Sequence, residues 1–91
     1  MKHYLVCCEP RVVLSGWATE EEVRKKHPKL KDVRMAVYWS RGGVLGLASE
    51  GPDDDCRITK AVPEWKCTTK KEGYGEISEK ATKRWEAEPW G

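Results

Sequence analysis

Residues 30–48 read "LKDVRMAVYWSRGGVLGLA", and the way this stretch is divided decides the fold. In its first half Val33, Met35, Val37 and Trp39 alternate with Asp32, Arg34, Ala36 and Tyr38, the period of a strand with one face on a core. "SRGG" supplies residues suited to a tight reversal, and "VLGLA" then reads as the returning antiparallel strand. On this reading Gly42 and Gly43 form a hairpin turn and Trp39 fills the core beneath it.

Working outward, "KHYLVCC" (2–8) places Tyr4, Val6 and Cys8 on one face and His3, Leu5 and Cys7 on the other, which marks a central strand apolar on both sides. Pro10 cannot donate to a ladder, so Glu9-Pro10-Arg11 is a turn and "RVVLSGW" runs back as the second strand. Thr19 and Glu22 have capping-box spacing, and Glu20/Arg24, Glu21/Lys25 and Glu22/Lys26 are i,i+4 pairs, so 19–27 has the marks of a short helix stopped by Pro28. Only Val23 is apolar there, and an irregular loop serves equally well. Beyond the acidic "EGPDDD" loop, "RITKAVP" and "EWKCTT" are short extended pieces, the latter with Trp65 and Cys67 on one face. "EGYGEIS" is a strand weakened by its glycines. Ser78 is a good N-cap for "EKATKRWEAE", where Ala81 and Trp85 share a stripe.

The expected fold is therefore mainly β (α+β): a small antiparallel sheet or open barrel of five to seven short strands with one C-terminal helix. At 91 residues the chain reads as a single domain, 1–91, able to bury roughly 64% of its unfolded surface. A margin that small favours a homo-oligomer. "MKHYLVCCEP" falls short of a signal-peptide core or a membrane span, so a cytoplasmic protein is expected, with Cys7, Cys8, Cys56 and Cys67 as thiols.

Charge is segregated although the net is only +2. "RKKHPKLKDVR" (24–34) sets six cations against Asp32, a pattern that serves as a solvated face or a docking surface. Arg24, Lys25, Lys26, Lys29 and Lys31 are the residues a nucleic-acid partner would meet, an alternative rather than the favoured reading. No C-x-x-C is present and the two histidines are far apart, so neither a metal nor any other cofactor is expected. No sequence neighbour holds a base against a serine or cysteine, and an enzyme ranks last.

Five tryptophans and three tyrosines stand beside no phenylalanine, and rings with a polar edge suit half-buried recognition surfaces. The candidate ligand site is Tyr38, Arg41, Gly42 and Gly43 with Trp17: backbone amides and a guanidinium for an anion, aromatic rings for a base.

The segments "HYLVC", "LKDVRMAVYWSRGGVLGLASEGP", "CRITKAVPEW" and "ATKRWEAEPW" resemble a family of short uncharacterised phage and prophage proteins. Tyr38-Trp39-Ser40, Gly43-x-x-Gly46-Leu47-Ala48, Gly51-Pro52, Ala61-Val62-Pro63, Trp85 and Pro89-Trp90 carry the likeness. "TEEEVRKKHPK" is more charged than the pattern, and "TTKKEGYGEIS" stands where a more apolar strand belongs. The resemblance brings no activity and no catalytic residue. It implies expression in the cytoplasm of a host bacterial cell and action by binding or sequestration, as counter-defence through capture of a host protein or an anionic signalling nucleotide. The alternative is a structural, self-assembling phage component; no membrane partner is expected.

Overall fold

The computed structural model describes residues 1–39 and 43–87. The strands are β1 (Lys2–Cys8), β2 (Val12–Ala18), β3 (Lys29–Tyr38), β4 (Arg57–Ile58), β5 (Val62–Lys66) and β6 (Lys71–Glu76); the helices are α1 (Glu20–Val23), α2 (Gly43–Ser49) and α3 (Glu79–Glu86). All pairings are antiparallel in one open sheet, ordered β4-β3-β2-β1-β6, with β5 also on β3. The mainly β expectation holds, and α3 lies across one face as a C-terminal helix. Among the described residues no helix is long and apolar enough to cross a membrane.

Strand β1 is central and buried on both sides. Tyr4, Val6 and Cys8 join Leu14, Ala18, Leu30 and Val33 in one cluster, closed by Val23 of α1 and by Cys67. Leu5 joins Val13, Ala36 and Ile58 in a second, beneath Leu47 of α2 and Ile77, Ala81 and Trp85 around α3. The chain gets from one sheet edge to the other through residues 67–70, tied to the strand ends by Cys67 N–H donating to Pro28 O (2.9 Å) and Glu9 N–H to Lys70 O (2.9 Å). Lys71 Nζ then donates to the Val23 and Lys25 carbonyls (2.7 and 2.8 Å), satisfying the end of α1.

Four expectations are corrected. Residues 43–49 form a helix and not a returning strand: Val44, Leu47 and Ala48, at i, i+3 and i+4, pack on the second cluster while Leu45 faces solvent. The helices thus number three among the described residues, since α1 forms as well, with Thr19 Oγ1 accepting from Glu22 N–H (3.1 Å). β3 is not one-sided, for Ala36 is buried under the helices and Val37 is exposed; Trp65 is exposed too, because β5 is an edge strand. Cys8 and Cys67 form a disulfide across the first cluster instead of remaining thiols, while Cys7 and Cys56 are free. Burial, with Glu72 nearby, pushes the Cys7 thiol up.

A β-bulge explains how β3 serves both faces. Ser15 pairs with Arg34 and Trp17 with Lys31, so Asp32 and Val33 together oppose Gly16. Asp32 takes φ 50°, a conformation short polar side chains tolerate. Strict alternation would set Leu30, Asp32 and Arg34 on one side. The extra residue instead leaves Leu30 and Val33 in the first cluster and turns Asp32 and Arg34 to the opposite face. A Cβ at Gly16 would lie 2.7 Å from Leu30 Cβ, so only glycine admits this approach. Gly16→Ala is expected to destabilise by about 1–2 kcal/mol through overpacking, read as a lower urea midpoint at unchanged slope.

Two ties position α3. Gly51, at φ 87°, closes α2, and a Cβ there would meet Arg84 Cβ at 2.8 Å and Ala81 O at 3.0 Å. Ser78 Oγ accepts from Ala81 N–H (3.0 Å) as the N-cap and donates to Ser49 O (2.7 Å), linking the two helices. Thr59, in the link between β4 and β5, is tied to β3: its N–H donates to Met35 O (3.0 Å) and its Oγ1 accepts from Met35 N–H (2.8 Å).

Candidate functional site

Helices α2 and α3 leave part of the second face uncovered, and there the sheet and the end of α3 enclose a cavity of about 250 Å³. β1 contributes His3, β2 Ser15 and Trp17, the bulged β3 Asp32 and Arg34, the β4–β5 link Ala61, and α3 Trp85 and Glu86. The hairpin register explains the first three, because His3 sits opposite Trp17 and Ser15 lies two residues along the same face.

Ser15 is fully buried, and among the described residues its Oγ has no hydrogen-bond partner. An orphaned hydroxyl of this kind costs about 1–3 kcal/mol, and native folds rarely keep one without a use. His3 is buried as well. Its ring stacks on Trp17 with centroids 4.7 Å apart and planes 6° from parallel, and its Nδ1 lies 2.8 Å from Thr82 Oγ1. Burial lowers its pKa to about 4, so the imidazole is neutral near pH 7 and forms an uncharged wall. Arg34 is half-buried and donates Nη1 to Thr59 O (3.2 Å); Asp32 and Glu86 are exposed at the rim. Trp85 is fully buried, its Nε1 donating to Leu47 O (2.9 Å).

These groups are suited to holding a ligand. Among the described residues no base is bonded to Ser15 Oγ. Among the described residues no group of three or more His, Cys, Asp or Glu is arranged to hold a metal ion.

Of the expected ligand residues that are described, Trp17 alone lines this cavity. Tyr38 is exposed at the far end of β3, opposite Arg57. Since Trp17 pairs with Lys31, seven residues separate the two along β3, about 20 Å. Gly43 begins α2 at φ 59°, whereas Arg41 and Gly42 lie outside the described residues. The basic segment is largely paired: Arg24 with Glu20 (2.7 Å), Lys25 with Glu22 (3.0 Å) and Lys29 with Glu64 (3.5 Å), while Lys26 and Lys31 are exposed. Glu22 also accepts from the Lys29 N–H (3.0 Å), and this bond together with Lys25 holds its carboxyl below the usual range. Such pairing reduces the excess charge a phosphate backbone would meet.

His3, Ser15, Asp32, Arg34, Ala61, Trp85 and Glu86 were not singled out from sequence. The first two were within reach of it, since they share a strand face with Trp17 once the hairpin register is drawn. A family model described as a domain of unknown function matches residues 1–85. No curated protein and no solved structure matches the chain.

Proposed function

The chain belongs to that family, DUF6948, and from this premise we propose that it is a non-catalytic binding protein that sequesters a small molecule in the cavity between β1–β3 and α3. One observation carries the reading: a buried, unpartnered Ser15 hydroxyl in a cavity walled by the stacked His3–Trp17 pair. A ligand group that displaced the side chains covering Ser15 Oγ would satisfy a polar atom left unmet among the described residues.

The proposed setting is a phage-type accessory protein in the host cytoplasm, acting in counter-defence by withdrawing a host molecule. A thermal-shift screen over nucleosides, nucleotides, amino acids and amines tests the proposal. A bound compound at 100 times its Kd stabilises by about 2.7 kcal/mol, a rise of roughly 10 °C or more for a domain of this size. The rise should shrink in Ser15→Ala and Trp17→Ala, and the compound should be recovered unchanged by chromatography. Conversion of the compound would replace the binding role with an enzymatic one. A panel that leaves the Tm unmoved would end the proposal.

A further inference from the structure

Among the described residues the lining sets one guanidinium, already donating to Thr59 O, against two carboxylates. Asp32 and Glu86 are exposed, Trp17 is half-buried, and Ser15 and Trp85 are fully buried behind the lining. We propose that this cavity selects a small ring-bearing ammonium compound and turns away phosphorylated ligands, an inference that rests on the cavity being a binding site.

Each part of the lining bears on that choice. Two carboxylates at the entrance attract an ammonium group and repel a phosphate, an effect felt at the few-ångström separations of a small cavity. The half-buried Trp17 indole, one face of which His3 covers, favours a ring and adds attraction for a cation near its open surface. The neutral His3 contributes no positive charge to offset Asp32 and Glu86. Ser15 Oγ accepts from, or donates to, a polar atom that reaches it. The volume, about 250 Å³, is below the roughly 300–1,000 Å³ of pockets for drug-sized ligands, so one ring system with a short arm fits better than a dinucleotide. This class differs from the anionic nucleotide expected from sequence because the bulge brings Asp32 into this lining.

Four probes separate the classes by isothermal titration at pH 7, with site assignment from backbone amide shifts: tryptamine, neutral indole, indole-3-propionate and AMP. Tryptamine is expected to bind and to shift the amides of His3, Ser15 and Trp17. Its affinity should fall at least tenfold in the Asp32→Asn, Glu86→Gln double variant, whose altered groups are exposed and whose folding is checked by circular dichroism. Indole-3-propionate and AMP should bind at least tenfold more weakly. If either anion, or neutral indole, binds these residues as tightly as tryptamine, or if the double variant holds tryptamine unchanged, the ammonium selectivity is overturned while the binding role stands. If none of the four perturbs these residues and the wider screen is also blank, both fall together.

Discussion

Trp85→Ala is expected to lower the stability of the protein by about 3–5 kcal/mol, the range for deleting a large buried ring. Trp85 is the largest of the fully buried side chains, and it joins α3 to the second cluster beside Ala81 and Leu47. Its Nε1 donates to Leu47 O, so the truncation leaves both a void and an unmet carbonyl. A domain of 91 residues has about 5–14 kcal/mol in total, so the variant would stand near the edge of folding at 37 °C. Trp85→Phe separates the two contributions: the ring remains, the donor is lost, and a drop of about 1–3 kcal/mol is expected. Trp65→Ala is the control, since that ring is 57% exposed on edge strand β5 and its loss should stay within about 0.5 kcal/mol. Urea unfolding followed by far-UV circular dichroism measures all three. Equal midpoints for Trp85→Ala and Trp65→Ala would refute the assignment of Trp85 as the anchor of α3.

What was legible in the sequence follows from how local each determinant is. The double-sided burial of β1 is written in consecutive residues, "YLVCC", because apolar side chains on both parities admit no solvent face. Both N-caps, Thr19 and Ser78, were readable for the same reason: a hydroxyl and the amide three residues on form a single local unit. Residues 43–49 were misread because adjacent glycines fit a hairpin turn and a helix start alike. The spacing of Val44, Leu47 and Ala48 tells them apart only when the helical period is tried on a short apolar run. The bulge was hidden, since its cause is shared between Gly16 and Asp32, partners on different strands. The cavity inherits that difficulty. Trp17 was visible as a ring in search of a surface, but Asp32 and Arg34 reach the same face only through the extra residue in β3, and Glu86 arrives from the far end of the chain. The disulfide joins residues 59 apart in sequence, and its pairing depends on the 67–70 link crossing the first cluster.

His3 makes a second large effect, expected between pH 6.5 and 4. Burial lowers its pKa from 6.5 to about 4, so the native protein holds the neutral ring where the unfolded chain already binds a proton. Above pH 6.5 neither state is protonated, and the native advantage is complete. As the pH falls toward 4 the unfolded state alone takes up the proton, and stability declines; below 4 both states carry it and the loss levels off. The full decline is about 2–3 kcal/mol, allowing for some residual solvation of the ring. Asp32, Glu86 and Arg34 share the cavity with His3, and Thr82 Oγ1 meets its Nδ1, yet none offsets the lost hydration of a charged imidazole. Glu22 and Glu50, held below the usual carboxyl range by Lys29 and Lys25 and by Lys80, contribute their own decline at lower pH, beneath about 4.5. His3→Gln keeps a polar group near Thr82 and removes the titration, so its stability should be flat from pH 6.5 to 5 while the parent falls. Urea midpoints at half-unit intervals read the difference, and a His3 Cε1–H resonance titrating near 6.5 in the native state would show that the ring is solvated and that the argument from burial fails.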